Sequence, residues 1–128
     1  MKLLDQALDR SILFSFDRTG YRRHARAFDK CALDCRMEGR VCLVTGASSG
    51  LGTAVARGLA ARGAEVHLLC RNPTKGRAVL ESIAEETGSR SLHLGEVDLS
   101  DLSAVRSYAE GAAPASVDVL VHNAGVLP

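Results

Sequence analysis

The run Thr45-Gly46-Ala47-Ser48-Ser49-Gly50-Leu51-Gly52 joins an apolar, β-rich stretch, Val41-Cys42-Leu43-Val44, to a helical pattern over Thr53 to Arg62. A strand that turns through clustered glycines into a helix restricts the available folds more than any other feature of this chain, because it defines a βα unit. Each glycine answers a separate need. Gly46 suits the tight turn, Gly50 lets the backbone approach an anion such as a pyrophosphate, and Gly52 permits close packing of the helix on the strand. The helix start adds unpaired N–H groups and a positive dipole end, and Ser48 and Ser49 add hydroxyl donors beside Leu51.

The same alternation repeats down the chain. Glu65 to Cys70 reads as a second strand, followed by a helix from Thr74 to Thr87 with Gly76, Val79, Leu80, Ile83, Ala84 and Thr87 on one face and Gly88 as its stop. A third strand is expected over Ser91 to Val97. A third helix follows, capped by Ser100 or Asp101, with Leu102, Val105, Ala109 and Ala112 inward. Pro114 marks a loop, and a fourth strand from Val117 to His122 leads into Asn123-Ala124-Gly125. Such alternation requires right-handed crossovers and a parallel sheet, so the expected fold is a doubly wound, Rossmann-type α/β sheet of order 3-2-1-4. That order is one half of a dinucleotide-binding sheet plus one strand, whose bare edge carries Val117, Val119 and Val121. The expectation for residues 40–128 is therefore the N-terminal part of a larger domain, without its catalytic half.

Residues 1–39 differ from this pattern. Leu3, Leu4, Ala7, Leu8, Ile12 and Phe16 fall at helical spacing, Gly20 is expected to end or bend that helix, and Arg18, Arg22, Arg23, Arg26, Lys30 and Arg36 make the segment basic. Such a helical leader suits peripheral contact with an anionic membrane, or packing on its own domain or on a second subunit in a homo-oligomer. Over the whole chain, 16 basic residues against 15 acidic ones give a net charge of +1, and there are two Tyr, three Phe and no Trp. Neither a phosphate-binding surface nor a base-stacking platform follows, which argues against nucleic acid. Apolar runs fall far short of the roughly 20 residues that cross a bilayer, and Asp5, Asp9 and Arg10 interrupt the one candidate secretory signal. An intracellular, cytoplasmic protein is expected. Cys31, Cys35, Cys42 and Cys70 form no CxxC pair and are expected as reduced thiols. His24, Cys31 and Cys35 fall short of four zinc ligands, so no metal site is expected.

After the second strand comes Cys70-Arg71-Asn72, where a strict NAD site would place an acid, about 20 residues past the loop, to accept from the ribose 2′-hydroxyl. An acid repels a 2′-phosphate, whereas Arg71 can clamp one with charge-assisted hydrogen bonds and Ser49 can add another donor. NADP (NADPH) is thus expected ahead of NAD. Arg71 also reads as a solvated residue capping the following helix.

Together with Asp98-Leu99 after the third strand and Asn123-Ala124-Gly125 after the fourth, the Thr-Gly-x-x-x-Gly-x-Gly loop resembles the short-chain dehydrogenase/reductase family over residues 40–128. The resemblance implies that Asp98 and Leu99 contact adenine and that Asn123, Ala124 and Gly125 line the cofactor cleft, along with the Arg71-Asn72 turn. Asp98 reads equally as a loop carboxylate capping the third helix. His122 stands where the family usually has a first Asn, and no partner at recognisable spacing gives it a role of its own. The leader from Phe16 to Phe28, with Gly39-Arg40-Val41, is similar to the dehydrogenase/reductase member twelve group. Cys70-Arg71-Asn72 resembles the retinol-dehydrogenase-like branch, whose substrates are often lipophilic alcohols and carbonyls.

Hydride transfer in that family needs a Ser, a Tyr and a Lys, the last two as Tyr-x-x-x-Lys on one helix face so that the cation stabilises the phenolate. Tyr21 is followed at that spacing by Ala25 and Tyr108 by Ala112, so no catalytic residue is assigned. Residues 1–128 are expected to be inactive alone. They read as the cofactor-binding part of an NADP-preferring oxidoreductase that interconverts a small-molecule alcohol and a carbonyl. The alternative is a noncatalytic dinucleotide-binding or interaction module.

Overall fold

The computed structural model describes residues 18–29, 31 and 34–125, and the chain divides into two compact units, Met1–Cys35 and Arg36–Pro128. In the first, helix α1 spans Arg18–Ala25, and the rings of Tyr21 and Phe28 meet edge to face at 6.2 Å. The apolar stripe expected from Leu3 to Phe16 lies outside the described residues. Gly20 does not end a helix: it is buried within α1, since one glycine costs a helix only about 1 kcal/mol and is no stop by itself.

The second unit runs β1 (Val41–Thr45), α2 (Gly50–Ala60), β2 (Glu65–Cys70), α3 (Pro73–Thr87), β3 (Leu92–Glu96), α4 (Leu102–Gly111) and β4 (Val119–Val121). All pairings are parallel, and the order is β3-β2-β1-β4, as the alternation of periods predicts. The unit takes in Arg36–Gly39 as well. The Met37 N–H donates to Arg62 O at 2.8 Å, and the Met37 side chain packs against the core.

The helices form where local chemistry starts and stops them. Asn72 caps α3 by accepting the Lys75 N–H at 3.0 Å, and Pro73 occupies the first turn, where no N–H is needed. At the other end Gly88 takes the left-handed conformation, φ 71°, and returns its N–H to Ala84 O. Helix α2 starts at Gly50, three residues before the Thr53 expected from periodicity, so part of the glycine run is itself helical. It meets the sheet through Ala56 and Ala60, one turn apart and both buried in the core. Small side chains there let the helix axis come close. Gly76 does the same for α3, since a Cβ at that position would run into Cys70 Sγ and the Leu94 side chain.

Strand pleating divides the core between the two faces of the sheet. Cys42, Val44, Val66 and Leu68 join Ala47, Ala56, Ala60, Ala64 and Ile83 beneath α2 and α3. On the opposite face Leu43, Leu69 and Val97 are packed against by Val105 and Tyr108 of α4. The expected inward set on α4 is therefore corrected. Leu102 is 81% exposed, Ala109 and Ala112 are exposed, and the bulk of Tyr108 takes the space they were expected to fill. No helix among the described residues is long and apolar enough to cross a membrane.

Strand β4 begins at Val119 and not at Val117, which is exposed. The reason is Asp118, whose Oδ2 accepts the Val41 N–H at 2.8 Å while its Oδ1 accepts from Arg40 Nη1 at 2.9 Å, tying the starts of β4 and β1 together through a side chain. The Val41 N–H, and after it the Arg40 side chain, hold the Asp118 carboxyl below its ordinary range. A lowered folded-state pKa adds stability that is complete above the unfolded value near ~3.9 and is lost as pH falls through the folded value. Urea unfolding followed from roughly pH 6 to pH 2 should show a shallower acid loss for Asp118→Asn than for the parent chain. Equal slopes would mean that the charge on Asp118 does not contribute.

Candidate functional site

Strands β1 and β4 are neighbours although β2 and β3 separate them in sequence. Beside β1 the connections diverge to opposite faces of the sheet, and at such a switch point a crevice opens beyond the carboxyl ends of the strands. Here it is an open cleft of about 650 Å³. Its walls bring together Gly46, Ser48, Ser49, Gly50 and Leu51 from the β1–α2 loop, Arg71 from the end of β2, Asp98 and Leu99 after β3, and Asn123, Ala124 and Gly125 after β4. Asn72 lies outside this cleft. It lines an adjoining hollow of about 500 Å³ with Ser48, Arg71, Pro73, Thr74 and Lys75. Gly52 lines neither, being buried in α2.

The glycine loop is built by exclusion. Gly46 has φ 65°, and a Cβ there would sit 2.9 Å from Ala124 Cα. A Cβ on Gly52 would strike the Gly46 carbonyl and lie 2.6 Å from Asn123 Nδ2, so its close approach is to the loop and Asn123 and not to a strand. Gly50 behaves differently. Its φ is 54°, yet a Cβ would meet nothing within 4 Å, which leaves open space against its backbone. The N-cap of α2, Ser49, is extended and makes no side-chain cap bond. The first-turn N–H groups are therefore uncapped by that side chain, at the helix end whose dipole favours an anion. The Thr53 hydroxyl closes the loop by donating to Ala47 O at 2.8 Å. These features fit a dinucleotide pyrophosphate: open backbone at Gly50, uncapped donors, and no acid in the loop.

Thr45 holds this wall to the next. Its hydroxyl donates to Val121 O at 3.2 Å and accepts the N–H groups of Asn123 and Ala124 at 3.0 and 3.1 Å, which uses its full capacity of one donor and two acceptor positions. Asn123 returns two bonds through Nδ2, to Thr45 O at 3.1 Å and Gly46 O at 3.2 Å. So Asn123, read from the sequence as lining the cleft, also braces its floor. Thr45 was not singled out by sequence reading. The signal available was a hydroxyl residue placed immediately before the first glycine of the loop.

On the far wall Asp98 Oδ1 accepts both the hydroxyl of Ser100, at 2.7 Å, and its N–H, at 3.0 Å. The Ser100 hydroxyl most of all, then its N–H and the charge of Arg71, hold the Asp98 carboxyl below the usual range. An ionised Asp98 thus stands across the cleft from a cationic Arg71. Capping of α4 falls to Asp101, which accepts from the N–H groups of Ser103 and Ala104, so Asp98 is not that cap. Nor does Arg71 cap α3, a role taken by Asn72. Burial, reinforced by Glu96, pushes the Cys70 thiol up, and burial does the same to the Tyr108 phenol. Both shifts favour the protonated thiol and phenol. All four cysteines are free, with Cys42 and Cys70 buried and Cys31 and Cys35 exposed.

The chain is similar to known proteins in sequence and fold. The short chain dehydrogenase family model matches residues 40–128. Human retinol dehydrogenase 11 is 39% identical over 99 residues, covering 76% of this chain and 31% of that protein. Human dehydrogenase/reductase SDR family member 12 is 34% identical over 116 residues, covering 90% of this chain and 37% of that protein. Among solved structures, a metagenomic short-chain oxidoreductase in complex with NADP superposes with a TM-score of 0.64 at 43% identity, covering 70% of this chain and 41% of that one. The chain spans about a third of the length of the curated relatives it matches.

Replacing Thr45 with Val keeps the shape but removes all three bonds of the hydroxyl, leaving the Ala124 N–H without it while the Asn123 N–H keeps its 3.1 Å bond to Val121 O. Thr45→Val should cost about 1–3 kcal/mol in chemical denaturation, and Thr45→Ser should recover most of it. No loss with Val would remove the hydroxyl from its place in holding the cleft.

Proposed function

Because the chain belongs to the short-chain dehydrogenase family, we propose that it is the cofactor-binding part of an NADP-preferring oxidoreductase that interconverts an alcohol and a carbonyl. The observation that carries the preference is Arg71. It borders both the main cleft and the adjoining hollow, which it shares with Ser48, Lys75 and the start of α3. Two cations, a hydroxyl and a helix N-terminus around one hollow suit a ribose 2′-phosphate, and no acid stands at the end of β2 to repel one.

In this reading Gly46, Gly50 and the first turn of α2 hold the pyrophosphate, with Ser48, Ser49 and Leu51 around it, and Gly52 keeps α2 close enough to do so. Arg71 and Asn72 form the 2′-phosphate corner, where Asn72 acts by fixing the start of α3. Asp98 and Leu99 take the adenine, with the carboxylate of Asp98 accepting from its amino group. Asn123, Ala124 and Gly125 form the remaining wall. The dinucleotide, when bound, supplies or accepts the hydride. The residues of this chain bind and orient it, and no proton transfer is assigned to them, since Tyr21 and Tyr108 are followed at the Tyr-x-x-x-Lys spacing by Ala25 and Ala112. Residues 40–128 act in this proposal as the binding unit and 1–39 as a leader whose last residues, Arg36–Gly39, belong to the same compact unit as the sheet. The retinol dehydrogenases among the relatives make lipophilic alcohols and their carbonyls the first substrates to try.

Arg71→Ala should weaken NADPH binding by about 1.5–3 kcal/mol, or tenfold to more than a hundredfold, while NADH binding stays within about twofold. Calorimetric titration of the chain with each cofactor measures both. An equal effect on the two cofactors would reject the clamp, and absence of binding by the parent chain would reject the cofactor reading itself.

A further inference from the structure

At the ends of β2 and β3 away from the cleft lies a side-chain cluster that cofactor binding does not use. Glu65 and His67 alternate onto the face of β2 that also carries Leu69, and the parallel register sets His67 directly beside His93 of β3. The two imidazoles stack with centroids 4.5 Å apart and planes 23° from parallel. Glu65 Oε1 lies 2.8 Å from His67 Nε2 and 3.6 Å from His93 Nε2. One ligand atom from each of the three residues falls within 4.8 Å of the others. The His67 side chain is 11% exposed, whereas those of Glu65 and His93 are 40% and 52% exposed. The cluster thus has a buried base and an open mouth.

Two imidazole nitrogens and a carboxylate oxygen within 4.8 Å of one another are the donor set of a borderline transition metal, and not of the oxygen-seeking calcium or magnesium. Zinc bonds of about 2.0–2.1 Å in a tetrahedron place ligand atoms roughly 3.3 Å apart. The separations of 2.8 and 3.6 Å at Glu65 Oε1 bracket that value. We propose that Glu65, His67 and His93 form a binding site for a divalent ion of the zinc class, with water completing its coordination at the exposed side. The ligands stand on two hydrogen-bonded strands and not on loops, so little ordering is left for the ion to impose. The proton shared between His67 and Glu65 is displaced on binding, as metal binding generally displaces protons from its ligands. Because β3 is the outer strand of the sheet, such an ion clips that strand to β2. The spacing escapes sequence reading because one ligand comes from a neighbouring strand whose register only the fold sets.

Titration of the 128-residue chain with zinc chloride by calorimetry, and with cobalt chloride by absorption spectroscopy, tests the site without any cofactor present. The expected result is one saturable ion, visible cobalt bands of nitrogen and oxygen ligation, and a melting temperature that rises with zinc. His93→Ala and Glu65→Gln, both at half-open positions and both checked by circular dichroism, should each weaken binding by about tenfold or more. Loss of the zinc-induced rise in melting temperature should accompany it. Unchanged binding in both variants, no saturable binding by the parent chain, or a sulfur-to-cobalt charge-transfer band marking thiolate ligation at Cys31 or Cys35 would each overturn the proposal. NADPH affinity serves as the independent readout of the cleft, and its value bears only on the cofactor reading.

Discussion

A single hydroxyl, that of Thr45, joins the last residue of β1 to the chain leaving β4. Parallel strands that are distant in sequence have no turn to fix how they end relative to one another, and here three hydrogen bonds to one oxygen do so. The clearance around Gly46 and Gly52 depends on this arrangement. Each allows no Cβ because Ala124 or Asn123 has been drawn so near. The open backbone at Gly50 is then the single glycine of the loop that faces space instead of protein. Packing and hydrogen bonding within the chain account for most of the loop, and the remainder is what a ligand can use.

The electrostatics of the cleft follow the same division. Asp98 has its charge stabilised locally by Ser100, so its pairing with Arg71 across the cleft is a secondary contribution. Arg71 is exposed and Asp98 half-buried, and solvent screens them and limits what they give to folding. Their separation of roles is positional: the negative group stands beyond β3 and the positive group beyond β2, on either side of the same opening. A ligand with one anionic end and one hydrogen-bond-donating end fits that polarity in one orientation.

Much of this was legible in the residues. Strand β2 falls on the range read from its apolar run, Gly88 stops α3 in the left-handed conformation its type suggests, and the strand order follows from alternating periods alone. The misses share a cause. Leu102, Ala109 and Ala112 have the spacing of an inward face, but spacing does not reveal that Tyr108 fills the room above Leu43 and Leu69. Val117 has strand character, yet the side chain of Asp118 takes the Val41 N–H before the ladder begins. Thr45 and the Glu65, His67 and His93 cluster depend on which strands become neighbours, a property of the folded sheet and not of any window of sequence. The glycine loop was readable because its chemistry is local.

Helix α4 has no buried residue, whereas α2 buries Gly52, Ala56 and Ala60 and α3 buries Gly76 and Ile83. Elements with few buried contacts open at the least cost in free energy, long before the domain unfolds as a whole. The turn holding Asp98, Leu99 and Ser100 leads directly into α4 and is anchored on its far side by that lightly packed element. The crevice therefore has walls of unequal stiffness, one cast against the interior and one hinged on a lightly seated helix. A long, jointed ligand would find its anchor at the first and its room for adjustment at the second.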